Sequence, residues 1–72
     1  MGELMPVVDI KVWKGIDQEK LEYLIKNITQ SFVDIDVPAG AVHVIIQEIP
    51  KEHWGLGGKT CAVRFKDRGP QN

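Results

Sequence analysis

Residues 41–49, AVHVIIQEI, carry aliphatic side chains on both faces of any strand that they form. Val44 and Ile46 would lie on one face, and Ile45 would lie on the other. Antiparallel strands usually keep one face in water, whereas parallel strands are covered on both faces. The stretch therefore predicts a parallel strand, and Pro50 marks its end.

Upstream of this strand, residues 18–33 (QEKLEYLIKNITQSFV) have the spacing of an amphipathic helix. Apolar side chains recur three and four positions apart and form one stripe, which consists of Leu21, Leu24, Ile25, Ile28 and Phe32. Asp17 stands at the N-cap, where its carboxylate can accept from the first free amides. The helix should end near Asp34, because Pro38 follows.

Residues 6–13, PVVDIKVW, alternate in character and predict a first strand, so the order is β-α-β with parallel strands, in the α+β class. Residues 61–65, CAVRF, are predicted to add a short last strand, either half of a C-terminal hairpin or an edge strand. We expect one domain over residues 6–65. Residues 1–5 are interpreted as an N-terminal extension or a start-site artefact, and residues 66–72 as a polar tail.

One helix and two strands leave a sheet face and two edges uncovered. A chain of 72 residues has a marginal core, and its lone Cys61 rules out an internal disulfide. Two copies paired edge to edge would form a four-stranded sheet with helices on one face. We therefore expect a homo-oligomer.

The composition argues against several classes of function. A formal charge of −1, with basic and acidic residues mixed along the chain, gives no basic patch for nucleic acid. No apolar stretch approaches the roughly 20 residues that cross a bilayer, and no signal peptide is recognisable. The single Cys61 favours a reducing, cytoplasmic setting. His43, His53 and Cys61 lack the paired spacing of a metal site, so no metal is expected.

Residues 53–60, HWGLGGKT, end like a phosphate-binding loop. The first glycine of that pattern is replaced by His53, and the residues after Thr60 are predicted to form a strand where the motif requires a helix. The glycines therefore indicate a tight turn with positive φ.

Pro6 has two interpretations that depend on the true N-terminus. If the chain is trimmed through Met5, Pro6 carries a free secondary amine. An α-amine has an ordinary pKa near 8, and apolar burial lowers that pKa, so the amine becomes a general base at neutral pH. If Met5 is retained, the nitrogen is locked in an amide and Pro6 only starts a strand.

The remaining candidates also have two interpretations each. His43, expected mid-strand, is either a hydrogen-bonded histidine at a subunit contact or a polar group that points into a site. Trp13 and Trp54 either pack at interfaces or form the wall of a pocket for a planar ligand. Cys61 is expected to be a buried, inert thiol, and His53 to be solvated.

Four segments together resemble the tautomerase superfamily, specifically its 4-oxalocrotonate tautomerase type. They are MPVVDIKVWKG (residues 5–15), the helix, VHVIIQEIPKEHWGLGGK (residues 42–59) and the short last strand expected over residues 61–65. The resemblance implies dimers with a four-stranded sheet, assembled into hexamers as trimers of dimers. It also implies cofactor-free enol–keto proton transfer, as in aromatic compound degradation, with an amino-terminal proline as the base.

The resemblance assigns roles to individual residues of this chain. Pro6 occupies the position of the catalytic proline. Trp54 stands where the family places an aromatic residue that lines the pocket and helps to keep the proline's pKa low, and Trp13 stands at another apolar pocket position.

The family's two carboxylate-binding arginines are replaced here by Ile16 and His43. Neither residue offers the bidentate grip of a guanidinium. Lys14 or Arg64 would have to supply the missing charge. We therefore expect a small 2-hydroxydienoate or enol acid as substrate, with weak activity on 2-hydroxymuconate.

Two other functions remain open at this stage. One is a non-catalytic oligomeric module whose Pro6 is blocked by the N-terminal extension. The other is water addition assisted by a protonated Pro6, for which Asp9 or Glu48 would activate the water.

Overall fold

The computed structural model describes residues 5–65, so the tail expected over residues 66–72 and most of the extension expected over residues 1–5 lie outside the described residues. Two strands and a helix build the main unit: β1 (Val7–Trp13), α1 (Gln18–Val33) and β2 (His43–Ile49). Short 3₁₀ turns precede and follow β2, at Ala39–Ala41 and Lys51–His53. The described chain ends with β3 (Gly55–Leu56), β4 (Lys59–Thr60) and α2 (Cys61–Arg64).

The two long strands run parallel, as predicted, in a register from Val7 beside His43 to Trp13 beside Ile49. Alternate residues of both strands are half-buried on the face toward α1, namely Val8, Ile10, Val12, Val44 and Ile46. The opposite, open face leaves Val7 63% and Ile45 47% exposed. A single chain therefore covers only one face of the sheet, although the sequence of β2 predicts cover on both.

Helix α1 has the predicted bounds, but its first turn is capped differently. Asp17 has the extended backbone of an N-cap, yet its side chain makes no cap hydrogen bond. Its carbonyl oxygen instead accepts from the amides of Lys20 and Leu21, both at 3.0 Å. The carboxylate is therefore left to stabilise the helix start by its charge alone.

The far end of α1 closes in a Schellman motif. The Val37 amide donates to the Phe32 carbonyl at 3.0 Å, and the Asp36 amide donates to the Val33 carbonyl at 2.9 Å. Asp36 takes the left-handed position with φ 74°, where glycine is usual. Val37 follows and is 2% exposed, so this turn anchors the helix end in the core.

The prediction of a strand over residues 61–65 is wrong, because Cys61–Arg64 form the short helix α2. The C-terminal hairpin exists but lies earlier, where β3 and β4 are joined by Gly57 (φ 66°) and Gly58 (φ 85°) in a turn that needs positive φ at both positions. The Cys61 amide donates to the Trp54 carbonyl at 2.8 Å, which ties α2 to the chain before the hairpin. Five residues hold too little periodicity to reveal this tertiary anchor.

The helix after Thr60 also removes one argument against a phosphate-binding loop. The other argument remains, since His53 stands at the first glycine position and the glycines close a hairpin. Within residues 5–65, no helix has the length and apolar character needed to span a membrane.

Candidate active site

Pro6 and His43 meet at the amino end of the sheet. The Pro6 carbonyl accepts from the His43 amide at 2.9 Å, and Pro6 itself is half-buried. His43 is the first residue of β2, so the expectation that it lies mid-strand is wrong, because the 3₁₀ turn Ala39–Ala41 occupies the chain just before it. The exposed His43 lies beside Val7 on the open face.

Three aromatic side chains meet at the carboxyl end of the sheet, and we call Trp13, Trp54 and Phe65 the aromatic cluster. The Trp13 ring centroid lies 6.2 Å from that of Trp54, in an edge-to-face arrangement, and 5.5 Å from that of Phe65. Both separations are in the favourable range for aromatic pairs. The Lys51 ammonium lies 4.8 Å from the Trp13 ring centroid and adds a cation–π contact.

Phe65 is a member of this cluster that the sequence did not reveal as a site residue. Its amide donates to the Cys61 carbonyl at 2.8 Å, at the end of α2. As part of a predicted edge strand it had no reason to meet Trp13. Its aromatic character, shortly after the glycine-rich stretch over residues 53–60, was the one feature of the sequence that could have suggested this role.

The loop after β1 lies at the same carboxyl end. The Lys14 amide donates to the Ile49 carbonyl at 2.9 Å, which extends the pairing of the two strands. Gly15, at φ 113°, donates its amide to the Glu48 carboxylate at 2.9 Å. The exposed Lys14 and the half-buried Ile16 therefore flank a loop that Glu48 holds in place.

The predicted site residues thus fall into two groups. Pro6 and His43 stand at one end of the sheet, and Trp13, Trp54, Lys14 and Ile16 stand at the other. The seven residues of β1 separate these ends by roughly 20 Å at a strand rise of about 3.3 Å per residue. A single chain does not bring Pro6 and the aromatic cluster together.

Other reactive side chains lie outside both groups. Cys61 is 0% exposed, as expected for an inert thiol, and His53 is exposed. In the part of the chain that the structure describes, no group of three His, Cys, Asp or Glu side chains is placed to hold a metal ion.

Comparison with known proteins identifies the family. The family model described as tautomerase enzyme matches residues 6–64. A 2-hydroxymuconate tautomerase of Stutzerimonas stutzeri is 37% identical over 58 residues, which are 79% of this chain and 92% of that protein.

Solved structures agree with this match. TomN, a 4-oxalocrotonate tautomerase homologue of the tomaymycin biosynthetic pathway, superposes with a TM-score of 0.78 at 28% identity, covering 82% of this chain and 92% of its own. A heterohexamer 4-oxalocrotonate tautomerase of Chloroflexus aurantiacus superposes with a TM-score of 0.72 at 32% identity, covering 81% and 95%. The β-α-β chain described here therefore belongs to the tautomerase superfamily and is an enzyme of the 4-oxalocrotonate tautomerase type.

Proposed function

We propose that the chain, once trimmed through Met5, catalyses enol–keto proton transfer on a small 2-hydroxydienoate or enol acid, with Pro6 as the general base. The observation that carries this proposal is the position of Pro6, which opens the stretch matched by the family model and precedes β1 at the open end of the sheet. Its carbonyl is bonded to the His43 amide. That bond ties the backbone of Pro6 to the start of β2.

The chemistry needs one neutral amine. The free secondary amine takes the proton of the enol hydroxyl and returns a proton to a carbon of the conjugated system, so no cofactor and no redox partner is needed. An α-amine has an ordinary pKa near 8, and apolar surroundings lower that pKa because they disfavour the charged form. A lowered pKa leaves more of the base neutral at pH 7.

A second copy of the chain would complete the site. Edge strands that pair about a two-fold axis run antiparallel, so the amino end of one sheet lies alongside the carboxyl end of the other. Such a pair would bring the aromatic cluster of one copy to Pro6 of its partner and would form a four-stranded sheet. Exposed Val7 and Ile45 on the open face support further association of dimers, and we propose a hexamer.

The remaining pocket residues take their roles from this arrangement. Trp54 and Trp13 would form the pocket wall, His43 would orient a substrate oxygen, and Lys14 and Ile16 would line the rim. Ile16 has no charge, and a neutral His43 offers at most one donor. We therefore propose weak activity on 2-hydroxymuconate, the substrate named for the Stutzerimonas relative.

The test compares chains that differ only in their start. Ketonisation of phenylenolpyruvate is measured with a chain that begins at Pro6, with the same chain acetylated on that nitrogen, and with a chain that begins at Met1. A general base contributes about 10²- to 10⁴-fold, so the free Pro6 chain should exceed both others by at least about 100-fold. Equal rates from all three would remove Pro6 from the mechanism.

The alternative is a non-catalytic oligomeric module in which Met5 is retained. Its basis is the sequence before Pro6, since a retained Met5 would hold the Pro6 nitrogen in an amide. The intact mass of the protein from its native source distinguishes the two forms, because removal of residues 1–5 changes the mass by a known amount.

A further inference from the structure

The guanidinium of Arg64 lies near both the hairpin turn and the aromatic cluster. Arg64 is the last residue of α2, and its Cζ lies 5.9 Å from the ring centroid of Phe65. Gly57 is also near this guanidinium, because a Cβ added there would lie 3.1 Å from the Arg64 Nη1. The absence of a side chain at Gly57 thus gives the guanidinium room.

The helix that ends with Arg64 is also joined to Trp54. The Cys61 amide is bonded to the Trp54 carbonyl at 2.8 Å, so α2 starts against the residue that precedes β3. Phe65, directly after Arg64, packs on Trp13. Arg64 therefore belongs to the corner of the molecule that contains both tryptophans.

Arg64 is exposed, and a carboxylate from solution can reach it. The ion pair found among residues 5–65 joins Lys11 to Asp9 at 3.6 Å, and no carboxylate of that part of the chain pairs with Arg64. A guanidinium presents a planar fork of donors that fits a carboxylate in a bidentate way. Ile16 and His43 cannot present such a fork.

We propose that Arg64 binds the carboxylate of the enol acid, while the aromatic cluster beside it contacts the planar part of the same molecule. This inference rests on the proposed function, since it names the group that would select acids at that site. Arg64 is then a specificity-determining residue. The substrate class becomes enol acids whose conjugated or aryl part can lie against indole rings.

The experiment measures binding and does not depend on turnover. The probes are 3-phenylpropanoate and its neutral amide, 3-phenylpropanamide, and binding is followed by the fluorescence of the chain's two tryptophans, Trp13 and Trp54. The protein begins at Pro6. We expect the acid to bind at least about tenfold more tightly than the amide, as for a charge-assisted bidentate contact.

Variants of Arg64 decide the source of that preference. Arg64→Gln should bind acid and amide equally, and Arg64→Lys should keep only part of the preference because an ammonium lacks the fork. The proposal is overturned if Arg64→Gln keeps the full preference. It is also overturned if the unaltered protein binds neither probe or binds both equally.

The two glycines of the hairpin turn offer a matched pair. Both have positive φ, so Gly57→Ala and Gly58→Ala impose similar backbone strain, but only the methyl at residue 57 meets the Arg64 guanidinium. Gly57→Ala should reduce the acid preference, and Gly58→Ala should keep it. If both variants reduce the acid preference equally, the proposed binding position of the Arg64 guanidinium beside Gly57 is contradicted.

Failure of this inference and failure of the proposed function give different results. A protein that prefers the acid through Arg64 but does not ketonise phenylenolpyruvate refutes only the proposed function. A protein that turns over phenylenolpyruvate but shows no preference dependent on Arg64 refutes only the role of Arg64.

Discussion

The two ends of the same sheet are built in different ways. At the carboxyl end, Trp13 packs on Trp54 and Phe65, and Glu48 holds the following loop at Gly15. At the amino end, Pro6 is joined to His43 by a backbone hydrogen bond, and the neighbouring Val7 is 63% exposed. The carboxyl end therefore contains packed aromatic side chains, whereas Pro6 at the amino end has little apolar cover from its own chain.

This difference indicates where the proposed base acquires its surroundings. A lowered amine pKa requires apolar enclosure, and half-buried Pro6 has little of it within its own chain. The aromatic cluster is roughly 20 Å away along β1. Association of two copies would therefore be needed for catalysis, because it would bring the aromatic cluster of one copy to Pro6 of the other.

The largest expected effect comes from placing a charge on the open face. Ile45→Asp puts a carboxylate where an apolar side chain is 47% exposed, so burial of this face against another copy would carry the cost of an unpaired charge. We expect the assembly to dissociate to dimers, measured by analytical ultracentrifugation. Activity on phenylenolpyruvate should fall with it, because Pro6 and His43, beside the open face, would lose the cover of a neighbouring dimer.

The matched control is Tyr23→Asp. Tyr23 is 66% exposed but lies on the helix, away from the open face of the sheet. This variant should keep both assembly and activity. An Ile45→Asp protein that stays assembled and active would disconnect the open face from function.

A smaller effect is expected from Glu48, which holds the loop at the carboxyl end. Glu48→Ala removes the acceptor of the Gly15 amide, at a cost of about 1 kcal/mol in the free energy of unfolding. Glu48→Gln keeps an oxygen acceptor and should lose less. Urea denaturation measures both values, and equal losses would mean that the hydrogen bond to Gly15 contributes nothing.

The smallest effect is expected near the amino end, where α1 closes before β2. Asp36→Gly relieves the left-handed backbone at φ 74° and should raise the free energy of unfolding by up to about 1 kcal/mol. Asp36→Ala should lower it instead, because alanine lacks the local hydrogen bonding that lets aspartate adopt this conformation. Thermal unfolding measures both variants. Melting temperatures that shift in opposite directions from that of the unaltered protein would support the Schellman motif, and shifts in the same direction would contradict it.

The sequence predicted the parts of the fold that have strong periodicity. Residues 18–33 have a clear helical stripe, and the helix has those bounds, while the aliphatic β2 correctly indicated a parallel pair. The segment over residues 61–65 was predicted wrongly. Its helix depends on a hydrogen bond from Cys61 to Trp54 that no local pattern encodes.

The sequence offered the individual candidates for the site, but not all of the contacts among them. Pro6 was named for its amine chemistry and Trp54 chiefly through the family resemblance, and the predicted parallel strands already place the start of β1 and the end of β2 at opposite ends of the sheet. The place of Phe65 in the aromatic cluster and the proximity of Arg64 to Gly57 follow from the turn of α2. Both required the structure.

The most direct test of the shared site is complementation between two impaired chains. One begins at Met1, so its Pro6 nitrogen is acylated while its Trp54 is intact. The other begins at Pro6 and carries Trp54→Ala. Each alone should turn over phenylenolpyruvate poorly, because each homo-oligomer lacks one component at every site.

Refolding the two chains together in equal amounts should restore activity. Random pairing gives heterodimers in which a free Pro6 meets an intact Trp54, and about a quarter of all sites should then be complete. Recovery near this level supports a site formed by two copies. A mixture no more active than the average of its parts would show that the amine and the aromatic wall do not act together across subunits.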